Sequence, residues 1–398
     1  MNQFLQRAFE LKEKMVQDRR NIHRNAECGM TLPFTSAYVQ ARLEEMGYKT
    51  EPVGRSGLMA VAGKRGPVIL LRADMDALPM GEESGLEFSS ITSSAHCCGH
   101  DLHTSMLLAA AQMLKEREGE LAGTVKFMFQ PGEEVGTGAK EMVEQGILDS
   151  PVPNAVLGMH VNAKSPLYQL NYGKGYTFCS NDNLTIRVTG RGGHGARPQE
   201  AIDPVKVGCH VYMALQSIKA NSVSPLKPVI LTITAMNGGS GYNLIPDTME
   251  LKGTLRTYDN ETREDVMIQI REKAETVARA FGAEAEVSFG ESVPPVVCAE
   301  AFTDEILGYA SEIVGKERIA AQGEVKMGSE DFSFITEKYP DSCGYLFIGA
   351  GPNEEEGFPY GQHNSKVVFN EDVMPYGAAV MAHSAMRWLA AQSNEEME

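Results

Sequence analysis

VILLRADMD, residues 68–76, opens with an unbroken apolar run and closes on two acids, the pattern of a strand buried on both faces with a polar end. Working outward, HTSMLLAAAQMLKERE (103–118) is an amphipathic helix and TVKFMFQP (124–131) a second apolar strand. GAKEMVEQGIL (138–148) is helical, and AVLGMHV (155–161) is a third strand. Short apolar strands alternating with helices predict an α/β fold whose mostly parallel sheet is covered by helices on both faces.

The pattern changes near residue 180. LTIRVTG (184–190) reads as a strand, 203–220 as a helix, and 229–239 and 248–258 as two strands. A helix at 261–282 and a strand at 284–290 complete the order βαββαβ, the ferredoxin-like split pattern. VPPVV (293–297) marks a return, after which YLFIGAG (345–351) and a helix at 372–391 resume the first pattern. The expected division is a discontinuous domain, 1–180 and 295–398, interrupted by an inserted domain, 181–294. Residues 1–24 read as one amphipathic helix and the acidic tail NEEME as frayed.

The 398 residues include 42% hydrophobic and 22% charged residues, ample for a sizeable core. A net charge of -17 argues against nucleic acid or an anionic membrane as partner. The charged N-terminus does not read as a secretion signal, and no apolar run approaches the ~18 residues of a membrane span. A cytoplasmic location is the expectation. The seven cysteines are odd in number and scattered, so they are to be read as ligands, nucleophiles or packing rather than a disulfide framework.

The chemistry concentrates in AHCCGHDLHT (95–104). Cys98 and His100, one residue apart in a glycine loop, can converge on one metal, and thiolate with imidazole suits Zn and similar divalent ions. The alternative is a His-rich loop without metal. In QPGEEVG (130–136), Glu133 and Glu134 are adjacent in a turn, so their side chains point apart. One can ligate while its neighbour serves as general base, although an acidic helix start would look the same. His160 in GMHV (158–161) closes a strand, where a lone His is ordinarily core. Position changes that: all three sites follow strand ends, where ligands bind in α/β sheets. His363 in YGQHNSKVVF, after the Gly-rich loop 349–361, is by spacing no different from any loop histidine.

These runs, together with RADMDALP (72–79), GRGGHGARP (190–198), NLIPD (243–247), GTLRTY (253–258), GSEDFSF (328–334) and Phe369, resemble the M20 metallopeptidases. The similar branch contains aminoacylases, hippurate hydrolases and auxin-conjugate hydrolases. The resemblance implies two divalent metals per subunit (Mn or Zn, with Co or Ni as options) held by Cys98, His100, Glu134, His160 and His363. It implies Glu133 as general acid/base and small N-acyl amino acids as substrates. It also implies that 181–294 is a lid that mediates homodimerisation, with His194 polarising the scissile carbonyl and Asn243 and Arg256 gripping the substrate carboxylate. Asp74 and Asp76 are expected behind the ligands, orienting them.

The chain departs from that pattern at HRNAE (23–27), with Ala26 where Pro is usual. Gly132 replaces the usual Ala of QPAEE, Cys97 sits where Ala is common, and HNSK replaces HSP. These changes bear on substrate preference. A dipeptidase, a carboxypeptidase or an N-acetyl-diaminopimelate deacetylase would carry nearly the same motifs. Two rivals lie further off. A Cys98 nucleophile with a neighbouring His leaves Glu133, Glu134 and His160 without roles, and a non-catalytic metal-binding module does not need Glu133. Cys179, Cys209, His210, Cys298, Trp388 and the Met residues of 142–159 read as packing.

Overall fold

A computed structural model describes residues 2–321, 327–351 and 360–395. Most of the Gly-rich loop before His363, and the last three residues of the acidic tail, lie outside the described residues. The chain divides into two compact units: Met1–Gly175 with Cys298–Glu324 and Asp331–Glu398, and Tyr176–Val297 with Val325–Glu330.

The first unit is built on an eight-stranded sheet. Its centre is Thr124–Gln130, Val68–Asp74, Ala155–Asn162 and Cys343–Gly349, adjacent in that order and all parallel. Every residue of Val68–Asp74, Thr124–Gln130 and Cys343–Gly349 is buried, which is why these segments read as continuous apolar runs. On one flank, Gly57–Gly63 and Glu51–Val53 continue the sheet antiparallel. On the other, Leu170–Tyr172 runs antiparallel and Ile319–Ala321 pairs parallel with it. The register sets Asp74 opposite Gln130 and Arg72 opposite Gly158, so the carboxyl ends of these strands and of Ala155–Asn162 share one edge. Helix His100–Glu116 has 14 buried residues, including Leu102, Met106, Leu107 and Leu114.

Residues 1–24 form two helices, Gln3–Glu10 and Lys12–Arg24, rather than the single helix expected. Each has its own buried face: Phe4, Leu5 and Ala8 in the first, Met15, Arg19, Ile22 and His23 in the second. Periodicity cannot reveal such a break, since both stripes keep helical spacing.

The second unit has the element order βαββαβ. Its four strands, in sheet order Val229–Gly238, Thr248–Thr257, Asn181–Thr189 and Glu284–Val293, are antiparallel throughout. Helices Pro204–Asn221 and Asn260–Ala280 complete it. Leu184, Ile186 and Val188 alternate along a strand, while Val207, Val211, Leu215 and Ile218 follow one helical face; all belong to one core cluster. Fully burying side chains of this size stabilises by about 1.5–3 kcal/mol each. Asp203 and Asp259 cap the helices, accepting from Val205 N–H at 2.9 Å and Thr262 N–H at 2.8 Å. Two of the residues read as packing are not buried: Cys209 is exposed, and exposed His210 stacks on Phe281 with ring centroids 4.5 Å apart. Helical spacing placed them one position off the buried stripe of Val207, Gly208 and Val211. Cys179, Cys298 and Trp388 are buried.

Candidate metal centre

The loop carrying Cys98 turns into helix His100–Glu116 through Gly99, whose φ of +98° is in the left-handed region. A Cβ on Gly99 would meet Val161 Cγ2 at 2.5 Å, so no side chain fits between the cysteine and the histidine. His100 holds its Nδ1 2.8 Å from the Asp76 carbonyl oxygen, and His160 its Nδ1 2.6 Å from the Val161 carbonyl oxygen. A carbonyl only accepts, so each neutral ring carries its proton on Nδ1 and presents Nε2 as a lone pair. His160 Nε2 lies 3.4 Å from Cys98 Sγ. Glu134 Oε1 is 3.8 Å from His100 Nε2 and 3.5 Å from His363 Nε2.

Two triads result, Cys98–His100–His160 and Cys98–Glu134–His363, each with ligand atoms within 4.8 Å of one another and sharing Cys98. Glu133 joins a third with His100 and Glu134. His100 Nε2 and Glu134 Oε1 are buried without a hydrogen-bond partner. Such groups are costly when left bare, and a thiolate, imidazoles and a carboxylate facing one point fit divalent cations of the Zn and Mn kind. His363, 57% exposed, has a strained backbone, φ +63°, and its N–H donates to Cys97 O at 2.9 Å.

Behind the ligands several polar groups are fixed by partners, although both ring nitrogens of buried His96 lack one. The Asp76 carboxylate accepts from Glu133 N–H at 3.0 Å and Glu134 N–H at 3.2 Å, fixing both glutamates at once. His103, the third histidine of 95–104, is engaged at both nitrogens: Nδ1 donates to Asp74 at 2.5 Å and Nε2 accepts Val161 N–H at 2.9 Å. It therefore holds the strand end of His160. Buried Arg72 reaches Asp74 at 2.8 Å, Gln130 at 2.9 Å and Asp331 at 3.3 Å. Burial pushes the Cys98 thiol and the Glu134 carboxyl up. Burial acts on Asp74 in the same sense, but Arg72, His100 and His103 outweigh it and hold Asp74 well below the usual carboxylate range.

Three further supports were not among the candidate site residues, although HRNAE (23–27) holds two of them. Gln362 Nε2 donates to Val161 O at 2.8 Å, beside the His160 contact. His23 bridges Asp101 (2.9 Å) and Glu82 (3.1 Å), and Asp101 also receives Arg19 at 2.9 Å. Burial opposes a charge on His23, but both carboxylates prevail and raise its pKa to about 9. Glu27, the last residue of HRNAE, accepts from Phe34 N–H at 3.1 Å and Thr35 N–H at 2.9 Å, starting helix Pro33–Glu45. Asp101 lies inside the dense motif and His23 and Glu27 are the two ends of HRNAE (23–27), whereas Gln362 had no such marker.

His194, Asn243 and Arg256 belong to the second unit. A short ladder pairs His194 with Leu244, and Gly195 N–H donates to Asn243 O at 2.7 Å, so His194 and Asn243 are neighbours. His194 Nδ1 accepts Ala196 N–H at 3.1 Å, which puts the proton of the neutral ring on Nε2. Arg256 Nη1 donates to Met327 O at 2.9 Å.

A parallel-centred sheet carrying a buried cluster of Cys, His and Glu ligand atoms beside a second glutamate defines the class of metal-dependent hydrolase. The sequence profile of peptidase family M20/M25/M40 matches residues 70–387, and the chain belongs to that family, hydrolases acting on amides. It is 35% identical to thermostable carboxypeptidase 2 of Saccharolobus solfataricus, over 95% of this chain and 96% of that one. It is also 35% identical to IAA-amino acid hydrolase ILR1-like 4 of Arabidopsis thaliana (94% and 86% covered) and 33% identical to hippurate hydrolase of Campylobacter jejuni (96% and 98%). Among solved structures, the YXEP protein of Bacillus subtilis, described as a dinuclear metal binding peptidase of the M20 family, matches with a TM-score of 0.79 at 29% identity, covering 96% of this chain and 99% of that one.

Proposed function

We propose that the protein hydrolyses the amide bond of N-acyl amino acids, using two divalent ions held by Cys98, His100, Glu134, His160 and His363. The observation that carries this reading is the pair of triads sharing Cys98, with Glu133 beside them. When bound, such ions supply Lewis acidity, which acidifies water and polarises a carbonyl. The Glu133 carboxylate takes a proton from the attacking water and later delivers it to the leaving amide nitrogen. Asp76 keeps that carboxylate in place through the two backbone amides it binds. His194 offers its Nε2–H to the developing oxyanion, a contribution typically worth ~2.7–4 kcal/mol. Asn243 and Arg256 bind the substrate carboxylate, for which a guanidinium is suited by its paired donors. The second unit acts as a lid and as the homodimer contact, in a cytoplasmic enzyme.

A Cys98 nucleophile is disfavoured, because it leaves Glu133, Glu134 and His160 without roles. No helix among the described residues is long and apolar enough to cross a membrane. Hippurate and IAA–amino acids, named by two relatives, are N-acyl amino acids, while the carboxypeptidase name keeps peptides as the second reading. The test is a panel of acetyl, benzoyl, long-chain and indoleacetyl amino acids with dipeptides and N-acetyl-diaminopimelate, assayed on metal-reloaded protein. The proposal expects turnover of at least one N-acyl amino acid in preference to the dipeptides. Turnover of dipeptides alone would overturn it in favour of a peptidase.

A further inference from the structure

Gly132 stands at the start of the turn bearing Glu133 and Glu134, with φ +70°. A Cβ on it would fall 2.1 Å from Met30 Sδ and 3.3 Å from Met30 Cγ. The thioether therefore occupies the volume that any side chain at 132 would need. Thr137 Oγ1 donates to the same sulfur at 3.5 Å, so Met30 touches both ends of the turn. The turn is closed by Gly136 N–H on Glu133 O (2.8 Å) and Gly138 N–H on Gly132 O (3.1 Å). Its two glutamate amides are taken by Asp76.

The backbone on either side of half-buried Met30 is anchored. Glu27 O accepts Ala77 N–H at 2.7 Å, the Glu27 carboxylate starts helix Pro33–Glu45, and Leu32 N–H donates to Ser56 Oγ at 2.8 Å. The short segment between Glu27 and Leu32 is thus tied at both ends with Met30 near its middle. Among the groups that hold the glutamate turn are the Asp76 carboxylate on its amides and the Met30 sulfur against Gly132.

We infer that Met30 and Gly132 form a matched pair that sets the position of the Glu133–Glu134 turn, making Met30 a positioning residue for the general base and its neighbouring ligand. This rests on the reading of Glu133 and Glu134 given above. Methionine suits the task, since an unbranched thioether fills an irregular gap beside a bare backbone. A Cβ at 132 displaces either the sulfur or the turn, and a displacement of about 1 Å at a catalytic group costs on the order of 100-fold in rate.

The test is a double-mutant cycle on the metal-loaded protein with Gly132→Ala, Met30→Ala and the double variant, with Glu133→Gln as reference. Gly132→Ala lowers kcat by about 100-fold with KM nearly unchanged and weakens metal binding measured by calorimetric titration with Mn or Zn. Adding Met30→Ala restores most of both losses by vacating the contested space; the remainder is the left-handed backbone, which Met30 does not relieve. A purely structural role would lower the melting temperature without this rescue. Should Gly132→Ala not fold, Met30→Phe drives bulk into the same gap and lowers kcat comparably. The pairing is overturned if the double variant is as impaired as Gly132→Ala, or if both Gly132→Ala and Met30→Phe keep wild-type kcat. Wild-type activity in Glu133→Gln would instead overturn the assignment of the base.

Discussion

The candidate groups of the two units are held in opposite ways. In the first unit Cys98 and His100 are buried, and the imidazoles of His100 and His160 are oriented by carbonyls while Asp76 holds the glutamate turn. In the second, His194 and Asn243 are exposed, joined by backbone pairing between Gly195 and Asn243. The difference teaches where precision is stored. Buried polar groups must be satisfied, so each partner fixes its neighbour and removing one strands the other. Exposed groups on a short ladder are held more lightly, as His194 is by the Ala196 N–H, and can adapt to a ligand. The first region is suited to holding ions at fixed places, the second to contacting a variable molecule.

Substitutions can break this comparison at several strengths. Glu133→Gln removes the proton carrier while leaving Glu134 N–H and Asp76 in place; kcat should fall by roughly 10²–10⁴-fold with metal content unchanged. His194→Ala should cost about 10²–10³-fold in kcat, as removal of an oxyanion donor does, again with no loss of metal. Asp76→Asn, which touches no substrate in this account, should weaken metal binding by roughly 10–100-fold through misplacement of Glu134, whose N–H its carboxylate holds. If His194→Ala lowered metal content and Asp76→Asn did not, the contrast between the regions would be reversed.

The same region makes a pH prediction away from the ligands. His23 has a folded pKa near 9 against 6.5 for the free side chain. It binds a proton more tightly folded than unfolded, so the stabilisation is complete below pH 6.5 and is lost as pH rises through 9. Its size is on the order of 3 kcal/mol. Urea midpoints should fall between pH 6.5 and 9 in the wild type and stay flatter in His23→Gln. Equal slopes in both proteins would remove His23 from the account.

Much of the fold was legible because strands buried on both faces are mostly apolar, with polar residues such as Arg72, Asp74 and Gln130 toward one end. VILLRADMD, TVKFMFQP and AVLGMHV could hardly be anything else, and the structure has strands at Val68–Asp74, Thr124–Gln130 and Ala155–Asn162. The break at Leu11 left no trace, since two short amphipathic helices keep the period of one long one. Among candidate ligands, Cys98 and His100 were suggested by spacing, and the turn suggested one of Glu133 and Glu134 without saying which. His160 and His363 depend on which strand ends and loops meet, which spacing does not encode. His103 shows the limit in the other direction. It lies in the same motif as His100, and only the contacts with Asp74 and Val161 reveal that both its nitrogens are spent. Met30 had no local signal at all, because its partner lies about a hundred positions along the chain.

The central claim is that five named side chains hold two ions for a reaction run by Glu133. The most direct measurement is metal content per chain, by elemental analysis after Mn or Zn reloading, taken with N-acyl amino acid turnover for wild type and Glu133→Gln in parallel. The expected result is two ions per chain in both proteins, with hydrolysis in Glu133→Gln slower by roughly 10²–10⁴-fold. A protein that binds no ion stoichiometrically, or a Glu133→Gln variant that turns over like the wild type, would contradict it.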